Sequence, residues 1–123
     1  MPEERSHLTV KDSGGVSVVE FSDRKILDEL SIAELTEELG RIVSKMKDVK
    51  LLLNFKNVEH LSSAALSMLI TLNKQVAEKK GKLKLSDISP PIYEVFKITR
   101  LNKLFDIHET AGRALASFSE SET

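Results

Sequence analysis

The chain has 123 residues, a formal net charge of −1, 30% charged residues and no cysteine. A chain of this length can bury the core of one domain, and the lack of cysteine excludes disulfides and thiolate zinc sites. The near-neutral charge and the few aromatic side chains argue against nucleic-acid binding, which usually needs a basic surface. We therefore expect a single domain over residues 1–123, with its core at residues 8–118 and short polar termini.

The N-terminal residues lack the cationic start and apolar core of a signal peptide. No apolar run reaches the length of about 20 residues that a membrane-spanning helix needs. The sequence therefore predicts a cytoplasmic protein that does not insert into a membrane.

The N-terminal half of the chain begins with two β-branched runs. The runs "HLTVKD" (7–12) and "VSVVEF" (16–21) flank Ser13-Gly14-Gly15, which predicts a β-hairpin. A helical pattern of apolar residues follows within residues 24–48. Its start is marked by an S-x-x-E capping box that makes Ser31 the N-cap and pairs it with Glu34, with Leu30 stapled to Leu35.

The middle of the chain contains a continuous apolar run, "VKLLLNF" (49–55), which is typical of a central strand covered on both faces. A second helix is predicted from Ser63 to Lys80, with Gly81 as its left-handed C′ residue.

The C-terminal part contains a strand ("KLKLSDI"), a helix beginning at Ser89-Pro90-Pro91, a strand ("NKLFDIH") and a last helix ("TAGRALASF"). The predicted order is β-β-α-β-α-β-α-β-α with short connections. This order indicates an α/β fold with a mixed β-sheet and helices packed on it.

Two adjacent serines stand between the central strand and the second helix. As N-cap, Ser62 can accept a hydrogen bond from the amide of residue 64 or 65, and this role explains it fully. Ser63 is predicted to point outward at the head of an uncharged outer helix face. We expect this face to bind a protein partner through Ser62, Ser63, Ala64, Ser67, Met68 and Thr71.

Phosphorylation of Ser63 is compatible with the predicted fold, because the start of a helix favours anionic groups. The same phosphate would place up to about two negative charges within the uncharged face and oppose docking. Ser63, and less so Ser62, is therefore the candidate modification site.

An enzyme that uses either serine as a nucleophile is a competing hypothesis, with His60 nearby in sequence. The sequence lacks a G-x-S-x-G elbow or another nucleophile signature, and its histidines lack metal-binding spacing. A glycine-rich phosphate loop is also missing. We predict no catalytic residues, no metal and no cofactor.

The junction "LSSA" (61–64) and the later residues resemble the STAS domain of anti-sigma factor antagonists, also called anti-anti-sigma factors. In that family the junction typically reads D-S-S/A-G, so Ser63 matches the phosphorylated serine, while Leu61 and Ala64 replace the usual aspartate and glycine. The downstream S-P-x-x-x-x-F-x-x-T-x-L-x-x-x-F rhythm is matched by Ser89, Pro90, Phe96, Thr99, Leu101 and Phe105. The resemblance covers residues 8–118.

The resemblance implies a binding protein whose partners are an anti-sigma factor that is also a serine kinase, and a phosphatase. Phosphorylation of Ser63 by the kinase would end docking, and the phosphatase would restore it. The family also contains scaffolds and regulatory modules without a modified serine, and such a role is the alternative. The oligomeric state is left open.

Overall fold

A computed structural model describes residues 7–120, and the predicted polar termini lie largely outside these residues. The main sheet has five strands in the order β1-β2-β4-β6-β7, and β3 and β5 form a separate two-stranded sheet. The elements are β1 (Leu8–Ser13), β2 (Val16–Phe21), β3 (Lys25–Ile26), α1 (Glu29–Lys45), β4 (Lys50–Asn54), β5 (His60–Leu61), α2 (Ser63–Glu78), β6 (Lys82–Ser86), α3 (Pro90–Ile98), a 3-10 turn (Leu101–Lys103), β7 (Asp106–His108) and α4 (Ala111–Glu120).

The predicted α/β fold with a mixed sheet is confirmed. Strands β1 and β2 pair antiparallel, whereas β2, β4, β6 and β7 are parallel neighbours. The predicted hairpin closes through Gly14 and Gly15, whose φ angles of 58° and 88° are the positive values that a type I′ turn requires. The small sheet of β3 and β5 was not predicted.

The two faces of the main sheet carry separate cores, as the alternation along the central strand β4 shows. Leu51 and Leu53 belong to the larger core, which contains the buried side chains of α1, α2 and α3. Leu52 faces the other side and packs with Ala114 and Phe118 of α4. The sequence run is therefore apolar throughout because both faces of β4 are covered.

The predicted start of α1 is wrong by three residues. Asp28, not Ser31, is the N-cap, and its side-chain Oδ2 accepts a hydrogen bond from the Ser31 amide at 2.9 Å. The S-x-x-E pattern at Ser31 and Glu34 and the D-x-x-S pattern at Asp28 both fit a helix start. Leu30 is consequently an exposed first-turn residue of α1 and makes no staple with Leu35, which is fully buried.

The end of α2 also differs from the prediction. Lys80, with φ 58°, is the left-handed C′ residue, and Gly81 follows it, donating its amide to the Val76 carbonyl at 2.9 Å. Gly81 is needed for another reason. A Cβ atom at this position would lie 2.4 Å from Val49 Cβ and 2.7 Å from the Val49 carbonyl oxygen.

Lys79, which directly follows α2, caps the C-terminal end of the neighbouring helix α1. Lys79 Nζ donates to the carbonyl oxygens of Val43 at 2.9 Å, Ser44 at 3.1 Å and Met46 at 2.7 Å. These carbonyls lie at the C-terminal end of α1, where the last backbone oxygens of a helix need partners from outside its regular bonding; the Val43 oxygen also accepts the Met46 amide at 3.2 Å. Lys79 therefore places a positive charge at the negative end of the α1 dipole.

Candidate partner-binding site

The candidate site lies at the carboxyl-terminal edge of the main sheet. Helices α1, α2 and α3 follow the parallel strands β2, β4 and β6 in turn, so all three begin at this edge. In open α/β sheets this edge is the usual position of binding sites. The residues that begin α1 and α2 are therefore the first candidates for recognition.

The chain between β4 and α2 is tied to the loop between β2 and α1. The amides of Glu59 and His60 both donate to the Arg24 carbonyl, at 2.7 Å and 3.1 Å. The Ser62 amide donates to the Ile26 carbonyl at 3.1 Å. These bonds hold the start of α2 beside the segment that leads into α1.

The two serines have the separate structural roles that were predicted. Ser62 is the N-cap, and its Oγ accepts a hydrogen bond from the Ala65 amide at 3.2 Å. Ser63 is the first residue of α2 and is exposed. The hydroxyl of Ser63 is therefore accessible, whereas that of Ser62 is engaged by the helix.

The outer face of α2 is exposed at Ser63, Ala64, Ser67 and Thr71, as predicted. The prediction that Met68 also lies on this face is wrong, because Met68 is only 6% exposed and belongs to the main core. Met68 lies beside Thr36 and Leu39 of α1. Helix α2 packs against α1 as well as against the sheet. Its buried face is therefore wider than that of a helix that packs on a sheet alone.

Two exposed leucines supply the apolar surface that Met68 does not. Leu27 is 48% exposed and Leu30 is 69% exposed, and both lie at the start of α1. Leu27 directly follows Ile26, whose carbonyl accepts the Ser62 amide, so it lies next to the start of α2. A D-x-x-S helix start would have revealed these leucines in the sequence, because it places Leu30 outside the buried helix face.

Asp28 is the carboxylate between these leucines. Its pKa is lowered chiefly by the hydrogen bond from the Ser31 amide, with further contributions from the Ser31 side chain and the charge of His7. Leu61, at the position where the family motif has aspartate, is half-buried and packs against the main core. The N-cap of α1 is therefore a carboxylate, Asp28, whereas the strand-to-helix junction before Ser62 carries the apolar Leu61.

His7 joins the loop after β2 to α1. Its Nδ1 contacts Asp23 Oδ2 at 2.6 Å, and its Nε2 contacts Glu34 Oε1 at 2.6 Å. The hydrogen bond with Glu34 is the largest cause of a raised pKa for His7, and Asp23 adds to it, although partial burial opposes the shift. Both ring nitrogens can donate only when the imidazole is protonated.

The geometry does not support a nucleophilic serine at this edge. Within residues 7–120, neither Ser62 nor Ser63 is hydrogen-bonded to His60. A second trio, Asp106, His108 and Ser117, uses one nitrogen for both contacts: His108 Nε2 lies 3.0 Å from Asp106 Oδ1 and 3.3 Å from Ser117 Oγ. A base must instead contact its nucleophile and its orienting carboxylate through different nitrogens.

The fold and the exposed serine define a small α/β domain whose distinctive surface is the start of two neighbouring helices. The same fold occurs in an anti-sigma-factor antagonist (STAS) domain protein from Planctomyces limnophilus, with a TM-score of 0.84, 20% identity, and coverage of 91% of this chain and 97% of that one. It also occurs in the phosphorylated form of SpoIIAA from Bacillus, with a TM-score of 0.67, 11% identity, and coverage of 90% of this chain and 98% of that one.

Residues 7–114 match the STAS domain, and the chain belongs to this family. It is 26% identical over 93 residues to BtrV of Bordetella bronchiseptica, a candidate anti-sigma factor antagonist, covering 76% of this chain and 79% of that protein. It is 22% identical over 101 residues to the anti-sigma F factor antagonist of Paenibacillus polymyxa, covering 82% of this chain and 85% of that protein. Within residues 7–120, no helix is long and apolar enough to cross a membrane.

Proposed function

We propose that this protein is an anti-sigma factor antagonist that acts by binding and has no catalytic activity of its own. The observation that carries the proposal is the exposed Ser63 at the head of an uncharged helix face, in a chain whose named relatives are anti-sigma factor antagonists. The docking surface consists of Ser62, Ser63, Ala64, Ser67 and Thr71 of the α2 start together with Leu27 and Leu30 of the α1 start.

In its unphosphorylated form the protein docks this surface onto an anti-sigma factor in the cytoplasm and thereby frees the sigma factor. Leu27 and Leu30 supply apolar area that leaves water on docking, which is the main favourable term in association. The hydroxyl face of α2 adds hydrogen-bonding groups that carry no charge. Neither contribution requires a cofactor bound to this chain.

Phosphorylation of Ser63 reverses the docking. The anti-sigma factor acts as the serine kinase and supplies ATP and magnesium, and a separate phosphatase restores the hydroxyl. A phosphate at the first residue of α2 is tolerated by the free protein, because the helix dipole favours negative charge there. In the complex, the same charge would be removed from water without a dedicated partner, which is costly.

Incubation with an anti-sigma factor kinase, ATP and magnesium, followed by mass spectrometry, tests the assignment. We expect phosphate on Ser63, none in Ser63→Ala, and unchanged modification in the control variant Ser44→Ala, whose serine is exposed at the far end of α1 and outside the docking surface. Phosphate on Ser62 alone, or on neither serine, contradicts the assignment. Tight binding without any phosphorylation would favour the alternative, a STAS scaffold or regulatory module.

A calorimetric titration tests the consequence for binding. Phosphorylated protein should bind the same partner at least about tenfold more weakly than unphosphorylated protein, which corresponds to about 1.4 kcal/mol. Equal affinities of the two forms would show that Ser63 does not control docking.

A further inference from the structure

The small sheet holds the segment that leads to Asp28 beside the segment that leads to Ser63. In the parallel ladder of β3 and β5, Lys25 pairs with His60 and Ile26 with Leu61. The bond from the Ser62 amide to the Ile26 carbonyl extends the same register. Two residues past the last ladder pair, the same register leads to Asp28 on one side and to Ser63 on the other.

The spacing of paired strands sets the distance scale between these two residues. Neighbouring strands lie about 4.8 Å apart, and packed helices lie about 8–10 Å apart. The two residues stand where the chain leaves the strand pair and enters the helices. We therefore expect a separation of about 5–10 Å, which is comparable with the Debye length of about 8 Å at physiological salt.

The Asp28 carboxylate has a structural task that a neighbouring charge can disturb. It accepts the amide of Ser31, the third residue of α1, which has no partner within the helix. The hydrogen bond lowers the pKa of Asp28, so the group is charged at neutral pH. Asp28 is also exposed, so it can turn away from Ser31 into solvent.

We propose that negative charge on residue 63 is sensed by Asp28 and loosens the first turn of α1. Repulsion between the phosphate and the carboxylate draws the Asp28 side chain away from the Ser31 amide. The first turn of α1, which carries Leu30 and follows Leu27, then loses its cap. Phosphorylation thus disturbs the apolar half of the docking surface as well as the serine half. This regulation rests on the proposed modification of Ser63.

The coupling is electrostatic, and its size and salt dependence follow from that origin. A phosphoserine carries about −1.5 to −2 charges at neutral pH. At this separation and near-aqueous screening, repulsion of Asp28 by that charge should open the cap about two- to fivefold more often. In 1 M salt the Debye length falls to about 3 Å, so most of the effect should disappear.

Amide hydrogen exchange at Ser31, followed by NMR, measures the opening directly. Phosphoserine is introduced at position 63 during translation, so no kinase is needed. We expect the Ser31 amide to exchange about two- to fivefold faster than in the unmodified chain. The matched control carries phosphoserine at position 67, one turn further along α2, and should leave exchange at Ser31 unchanged.

The variant Asp28→Ser separates charge from capping, because a serine hydroxyl can still accept the Ser31 amide but is neutral. In this background, phosphoserine at position 63 should no longer accelerate exchange. Unchanged or slower exchange in the natural background, equal acceleration in Asp28→Ser, or equal acceleration from position 67 would each overturn the proposal. Because no kinase is used, any of these results leaves the test of the proposed function standing.

Discussion

The exposed Leu30 and the buried Met68 offer a direct test of which apolar side chain the partner contacts. Leu30 is 69% exposed, so docking can newly bury about two thirds of its surface. Full burial of a leucine side chain contributes about 1.5–3 kcal/mol, so Leu30→Ala should weaken binding by about 1–2 kcal/mol, or about five- to thirtyfold. Its free energy of unfolding should change by less than about 0.5 kcal/mol.

Met68 should behave in the opposite way. It is 6% exposed and packs between α2 and α1, so Met68→Ala should lower the free energy of unfolding by about 2–5 kcal/mol. For a domain of this size that loss corresponds to a Tm lower by roughly 8–20 °C. Below the melting transition, the folded variant should bind the partner with nearly unchanged affinity, because Met68 is not on the docking surface.

The assay combines calorimetric titration against the anti-sigma factor with thermal melts of each variant. Ile98→Ala is the matched control, since Ile98 is 78% exposed but ends α3 at the opposite edge of the sheet. Normal binding by Leu30→Ala, or an equal loss with Ile98→Ala, would refute the placement of the surface. A Met68→Ala variant that melts normally but fails to bind would show that Met68 contacts the partner.

Four further predictions concern the stability of the folded chain. Ser62→Ala should cost about 1 kcal/mol of stability through the lost cap, whereas Ser63→Ala should be nearly neutral; equal losses in urea unfolding would show that the cap is misplaced. Gly81→Ala should destabilise by about 1–3 kcal/mol, because its Cβ would overlap backbone and side-chain atoms, and an unchanged urea midpoint would contradict this. Lys79→Met should cost about 1–2 kcal/mol by uncapping the end of α1, also measured in urea. Because the pKa of His7 is raised in the folded protein, protonated His7 stabilises the fold fully below the ordinary value of 6.5, and this stabilisation is lost as pH rises through the folded pKa. The free energy of unfolding of wild type relative to His7→Gln should therefore fall from about pH 6 to about pH 9. A difference that stays constant over this range would contradict the prediction.

The main sheet and the Ser62 cap could be predicted because each produces a pattern within a few residues of sequence. A two-residue hairpin turn selects glycine at both positions, and a central strand is apolar on both faces. Likewise, Ser62 before an apolar helical pattern marks the N-cap of α2, and Ser63 then becomes its first helical residue. The accessible position of Ser63 follows from these local rules alone.

The small sheet and the start of α1 could not be predicted in the same way. Strands β3 and β5 have two residues each, which is too short for alternation of apolar and polar side chains to appear. Two overlapping capping patterns compete at the start of α1, and only the contact between the Ser31 amide and Asp28 decides between them. Because Leu30 then falls outside the buried face, the error concealed part of the candidate site.

The misplacement of Met68 has a more general cause, which also explains where the docking surface lies. A helical projection treats α2 as if it packed on the sheet alone, whereas α1 also packs against it through Leu39 and Met68. The strip that the first turns of α2 leave to solvent therefore carries mainly small side chains, at Ser63, Ala64, Ser67 and Thr71. Such a strip supplies little apolar area, so a stable complex needs the neighbouring start of α1. The small sheet provides this neighbour by holding the two helix starts together. The proposed docking surface is therefore formed by two helices, and no single segment of sequence contains it.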